Sequence, residues 1–282
     1  SYRAVFRDPL DQKAKAVVAV KRMPTLSKEP TTRVLQVYPT ASVLPENLLK
    51  FYIHFSAPMS RGGIYEYIEL LDVQGREVEI PFLEIDEELW DPDMQRITLF
   101  IDPGRLKRGV KPLEDMGPAL ERGKSYRLRI AAEWRDGDRL PLVEPFEKAF
   151  TVSPPDRRAP QASEWVWGTL PQAGEDEPLV LRFPESMDHA LARRLIRVLD
   201  DGKQDLEGEI RLLDGEKQWE FRPRQPWAAG NHLLRVGTLL EDLAGNQIGK
   251  VFEVDVFEEI DDEKELAKKR WVELPFVIED KR

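Results

Sequence analysis

Cysteine is absent from this 282-residue chain, which excludes disulfides, thiolate catalysis and cysteine-ligated zinc together. The absence leaves the compartment open, because exported β-domains can dispense with disulfides. No basic excess exists either. The formal charge is −10, so phosphate neutralisation is not available and a nucleic-acid partner is not expected. Long apolar runs are missing as well. The early run Ala16 to Val20 is too short for a signal h-region or a membrane span, and nothing later approaches the roughly 20 apolar residues that a spanning helix needs. The chain begins at Ser1 rather than Met, so removal of a leader or upstream segment is expected. The hydrophobic content is 41% and the charged content 33%, the composition of a hydrated globular chain rather than a disordered one. The length suits two domains of ordinary size.

What the sequence does contain is one pattern written twice. Phe55-Ser56-Ala57-Pro58-Met59-Ser60 returns as Phe183-Pro184-Glu185-Ser186-Met187-Asp188. Each copy continues with an Asp-to-Gly turn (Asp72 to Gly75, Asp200 to Gly202). An apolar strand then runs into Pro103 or Pro223, followed by a Gly-led strand from Gly123 or Gly230. A closing Phe-x-Val is expected at Phe150 to Val152 and at Phe252 to Val254. Five signals in the same order imply two tandem copies of one β-domain.

The strands read from period two. Leu49, Phe51, Ile53 and Phe55 alternate with Lys50, Tyr52 and His54, and Leu179, Leu181 and Phe183 with Val180 and Arg182. Such alternation marks a strand with one buried face. Leu99/Ile101 and Trp219/Phe221 form one matched inward pair of segments. Tyr126/Leu128/Ile130 and His232/Leu234/Val236 form another. Short strands between Gly, Pro and Asp turns predict all-β Greek-key sandwiches. One helical turn or two is expected after an Asp188 cap, through Arg194, before Ile196 starts a strand. The boundaries follow: an extended arm over 1–32 with room for one strand, sandwich one over 33–153, a Pro-rich linker over 154–163, sandwich two over 164–257, and a C-terminal docking tail over 258–282. A short helix is expected over Lys264 to Arg270 of that tail.

These motifs resemble the bacterial Ig-like domain of S-layer (SbsA-like) type. The resemblance rests on Phe-Ser-x-Pro-Met at Phe55 to Met59, the apolar-x-Phe-x-Pro strands, the Gly-led strand with Tyr126, and the closing turn Asp242-Leu243-Ala244-Gly245-Asn246. Copy one departs from that turn at Trp134-Arg135-Asp136-Gly137-Asp138. Copy two replaces Ser-x-Pro by Pro184-Glu185-Ser186 and carries His232 in place of Tyr. The resemblance spans residues 33 to 257. It implies two tandem Ig-like sandwiches in an extracytoplasmic bacterial protein, periplasmic or on the cell surface, acting as spacer, adhesion or docking unit.

Candidate chemistry is thin. There is no Gly-x-Ser-x-Gly elbow. Gly123-Lys124-Ser125 opens a strand rather than a helix, and Gly117 is misplaced for a phosphate loop. His54 is placed on the polar face of its strand, His189 in a turn, and His232 at the core edge as a corner residue. Acidic loops (Asp86, Glu87, Glu88, Asp91, Asp93, and Asp242 with Asn246) are expected to be solvated, with a structural calcium as the sharper option. No two acids stand out as a glycosidase pair. Trp165 and Trp167 share a strand face, and Trp227, Trp90 and Trp134 fall near turns; exposed rings would stack on sugars, but Trp165, Trp167 and Trp227 are expected to pack the core or the domain junction. No catalytic residue, cofactor or metal is therefore assigned. The expected partner is a protein at the cell envelope, including a membrane complex; a glycan is the alternative. The docking residues expected are Trp271, Leu274, Phe276, Val277 and Ile278 on the tail, with Pro112, Leu113 and Met116 in the Lys107 to Glu121 insertion. Deleting 259–282 is expected to leave both sandwiches folded but to weaken partner binding.

Overall fold

A computed structural model describes residues 2–6, 17–21, 29–106, 117–250, 252 and 270–280. Its first strands, β1 (Tyr2–Phe6) and β2 (Val17–Lys21), pair antiparallel as a separate two-stranded sheet. The expected arm thus carries two strands rather than one.

The first sandwich holds β3 (Val34–Tyr38), β4 (Val43–Pro45), β5 (Lys50–Phe55), β6 (Ile68–Asp72), β7 (Leu89–Trp90), β8 (Arg96–Phe100), β9 (Ser125–Ile130) and β10 (Phe146–Ser153). One sheet runs β3-β5-β8-β7 and the other β4-β10-β9-β6. The second sandwich holds β11 (Val166–Trp167), β12 (Leu179–Arg182), helix α1 (His189–Leu195), β13 (Ile196–Leu199), β14 (Gly208–Leu213), β15 (Gln218–Pro223), β16 (Gly230–Gly237) and β17 (Trp271–Ile278). Its sheets run β11-β12-β15-β14 and β13-β16-β17. Read along the chain, these seven strands follow the immunoglobulin constant-type order, four in one sheet and three in the other. The first sandwich repeats the order and adds β4, which pairs parallel with β10. The chain is therefore all-β, with two tandem Ig-like Greek-key sandwiches.

Period two does the packing. Phe51, Ile53 and Phe55 of β5 point into the first core with Ile97 and Leu99 of β8 and Leu128 and Ile130 of β9. Leu179, Leu181, Trp219, Phe221, Leu234 and Val236 fill the second. Met59 and Met187, the repeated methionines, are both buried. Each forms an isolated bridge to an aspartate: Met59 to Asp136, Met187 to Asp242. Asp136 accepts the Asp138 and Leu140 amides, as Asp242 accepts those of Ala244 and Asn246. The Trp134 to Asp138 departure in sequence therefore builds the same carboxylate-pinned turn. Asp188 caps α1 by accepting the Leu191 amide at 2.8 Å, where the helix start was expected.

The C-terminal tail requires a correction. Trp271–Ile278 is the closing strand of the second sandwich, paired in unbroken antiparallel register with β16 from Gly230↔Ile278 to Gly237↔Trp271. It occupies the place that β10 takes beside β9. The expected closing segment Phe252 to Val256 lies outside the described residues except for Phe252, which packs against the first core. The helix expected over Lys264 to Arg270 also lies outside them, apart from Arg270. Among the described residues no helix is long and apolar enough to cross a membrane.

Candidate functional site

The polar face of β5 was expected to meet solvent. Instead it meets the second domain. Lys50 and Tyr52 lie under the N-terminus of α1 and the Glu241 to Asn246 turn. The Lys50 ammonium is 3.1 Å from Asp188 Oδ2 and 2.6 Å from Glu241 Oε2, and all three side chains are largely buried. The Tyr52 hydroxyl donates to both Asp188 oxygens, at 3.0 and 2.9 Å. Burial alone would lower the Lys50 pKa, but Asp188 and Glu241 outweigh it and hold the pKa above its ordinary value. Burial and then the Asp188 charge push the Tyr52 phenol far upward, so it stays a neutral donor.

Two further contacts lock the same seam. Glu216 is 0% exposed, yet its two oxygens accept the Thr40 amide at 2.8 Å and hydroxyl at 2.6 Å. Within the first sandwich the Lys148 ammonium donates to the Thr40 and Ala41 carbonyls, which steadies the loop that presents Thr40. The Leu49 amide donates to the Leu243 carbonyl at 2.9 Å. At Gly245 (φ +85°) a Cβ would lie 2.7 Å from Leu49 Cδ2, so only glycine allows the turn to approach this closely. The linker is pinned too: Asn47 Nδ2 donates to the Asp156 carbonyl at 2.6 Å, and the Asp156 amide donates back to Asn47 Oδ1 at 2.8 Å.

Beside this lock, Asp156, Glu185 and Asp242 bring carboxylate oxygens within 4.8 Å of one another. Desolvation, then the hydrogen bond and charge of Asp156, push Glu185 up to about 8. Desolvation pushes Asp242 up to about 7 despite its bonds from Asn246 and Ala244. Three such oxygens could hold a hard divalent cation, or share protons among themselves. The sequence singled out only Asp242 and Asn246 here. Asp156 and Glu185 come from the linker and the second motif copy, and no local spacing signals their convergence.

The histidines form a third feature. His189 stacks on Tyr38 with ring centroids 3.5 Å apart, and His54 meets Tyr38 edge-on at 5.1 Å. His54 is on its predicted face, but that face is covered; His189 begins a helix. His232 is buried, its Nδ1 3.1 Å from the Gly230 carbonyl, in keeping with a corner residue. Tyr52, an aromatic residue on the nominally polar face of β5, is a hint that this face is covered but does not say by what.

The expected docking residues divide. Phe276 is 6% and Ile278 1% exposed, and both belong to the second core. Leu274 is half-buried against it. A docking role for these three is corrected, because an inward side chain on a paired strand has no surface to offer. Trp271 (42% exposed) and Val277 (52%) point outward. Pro112, Leu113 and Met116 lie outside the described residues. The tryptophans are mostly core: Trp134 and Trp227, expected near turns, are buried with Trp165 and Trp219, while Trp90 is half-buried and Trp167 is half-buried against Phe276.

No protein-family model matches the chain, nor does the sequence of any curated protein. Among solved structures, the native α-2-macroglobulin of Escherichia coli over domains MG0-NIE-MG1 matches at 12% identity, covering 75% of this chain and 66% of that one, with a TM-score of 0.28. The S-layer protein rSbsC matches at 12% identity over 89% of this chain and 26% of that one, with a TM-score of 0.31. The Dpr2 Ig1-Ig2 pair, solved in complex with DIP-Theta, matches at 9% identity over 73% of this chain and 92% of that one, with a TM-score of 0.22. The chain spans less than two thirds of the length of the first two. The class is fixed by the strand order itself, a tandem Ig-like β-sandwich protein.

Proposed function

We propose that this chain is a non-catalytic scaffold unit of the bacterial envelope, of the S-layer Ig-like type, that holds a protein partner at a fixed distance and angle. The observation that carries this reading is the seam. Lys50, Tyr52, Asp188, Glu216 and Glu241 are buried ionisable groups of the kind that acid–base work uses, and they are spent on fixing one sandwich against the other. A buried ion pair is weak support for stability but good support for a single relative orientation, which is what a spacer requires. The outward face of β17 supplies the contact surface in this reading, through Trp271 and Val277 at the edge of its sheet. An edge strand with exposed apolar side chains suits a protein partner that adds an extended segment. The glycan alternative is disfavoured by the burial of Trp134, Trp165, Trp219 and Trp227, since a sugar-stacking platform needs exposed rings. The extracytoplasmic setting rests on the motif resemblance.

The test is a tagged pull-down from the envelope fraction with chemical cross-linking and mass spectrometry. Stoichiometric cross-links to one envelope protein from β17 and its neighbours, lost in Trp271→Glu/Val277→Glu, are expected. Recovery of polysaccharide alone, or turnover of any substrate by the purified chain, would overturn the proposal.

A further inference from the structure

A cleft of about 600 Å³ opens where β5 and β8 of the first sandwich face α1 and β13 of the second. Its walls carry four guanidinium groups, Arg96 from one domain and Arg193, Arg194 and Arg197 from the other, with His54 and His189. No lining residue is acidic, in a chain whose formal charge is −10. Among the described residues none of the four arginines is in an ion pair. Neutral-to-acidic surfaces do not gather unpaired guanidinium groups at random, since their mutual repulsion works against folding.

The inner wall holds the second observation. The Nε of Arg96, the Nε2 of His54 and both ring nitrogens of His189 are buried without a hydrogen-bond partner. His189 is 6% exposed. Buried polar nitrogens of this kind carry a desolvation cost, which an acceptor in the cleft would remove for the Arg96 Nε–H and for the single N–H of a neutral imidazole. Arg96 is held 5.6 Å over the Tyr52 ring, which limits the directions its fork can take. Burial first, then the guanidinium groups of Arg96 and Arg193, push His54 down to about 4, with Asp91 opposing. Burial, Arg193, His54 and Arg96 push His189 down to about 3.

We propose that this cleft binds a compact oxyanion of two or more negative charges, the phosphate or sulfate group of a small ligand. Guanidinium forks match such oxygens bidentately. The exposed arginines at the rim would capture the charge, and Arg96 with the histidine rings would meet it inside. The same ligand would touch both sandwiches, so its binding would stiffen the seam on the side that Lys50 and Asp188 do not reach.

The experiment is isothermal titration calorimetry of the whole chain with pyrophosphate and with sulfate, at ionic strength matched by sodium chloride. Saturable binding at one site per chain is expected. The double variant Arg193→Gln/Arg197→Gln should weaken it at least tenfold while melting at the wild-type temperature in chloride. The control Arg222→Gln/Arg224→Gln, on the far strand β15 and its turn, should bind like wild type. Tighter pyrophosphate would mark a phosphorylated ligand and tighter sulfate a sulfated one, each supporting the shared chemistry. No saturable heat with either anion, or equal losses in both double variants, would overturn the proposal.

Discussion

Removing the side chains that β17 buries should unfold the second sandwich. Phe276 and Ile278 enter a core closed by Trp167, Trp227 and His232, with Phe276 5.4 Å from the Trp167 and His232 rings. Truncating a buried Phe to Ala costs about 3–5 kcal/mol and a buried Ile about 2–5 kcal/mol. Together they approach the whole net stability of a domain, about 5–15 kcal/mol. Phe276→Ala/Ile278→Ala should therefore abolish or sharply lower the urea midpoint of the second domain, and so should deletion of 270–282. Tryptophan fluorescence reports this well, because Trp165, Trp167, Trp219 and Trp227 all belong to that core or pack on it. Hydrogen exchange supplies the location. Amides of β16 should lose protection while those of β9 in the first sandwich keep theirs. Val277→Ala is the control, since its side chain faces outward and surface changes cost about 0.5 kcal/mol or less. A 270–282 deletion with an unchanged midpoint and protected β16 amides would refute the assignment of β17 to the core and restore a dispensable tail.

Three further outcomes are expected. Lys50→Met leaves Asp188 and Glu241 buried without their cation and should destabilise the protein by about 3–5 kcal/mol in chemical denaturation; Lys50→Met/Asp188→Asn/Glu241→Gln should recover much of that loss. Stability should fall as pH rises from about 6.5 to 8. Glu185 and Asp242 have folded pKa values raised to about 8 and about 7, so in this window the folded state binds more protons than the unfolded one, and the loss is about 2 kcal/mol. Below 6.5 the lowered His54 and His189 act in the opposite sense, because the unfolded chain then takes up the protons. Melts from pH 4.5 to 8 should show a broad maximum, with Glu185→Gln flattening the alkaline side and His189→Phe the acid side. Gly245→Ala should cost at least about 1–2 kcal/mol through its left-handed backbone, and more through contact with Leu49; an unchanged melting temperature would contradict the tight approach of the turn.

The sequence by itself determined the repeat, the strand faces and the caps. Period two at Leu49 to Phe55 and Leu179 to Phe183, the twin methionines and the Asp188 cap are local signals, because strand alternation and capping depend on neighbours in the chain. Two matters were decided only in three dimensions. The segment filling the last strand of the second sandwich was Trp271–Ile278 rather than the residues after Phe252, because either segment carries alternating apolar residues and only register against β16 distinguishes them. The seam was hidden likewise. Lys50, Tyr52 and His54 read as a solvated face until Asp188, His189 and Glu241, more than 130 positions downstream, were brought against it. The charge pairs, the carboxylate cluster and the arginine-lined cleft arise from that one docking of domain on domain, which the order of residues along a single strand does not encode.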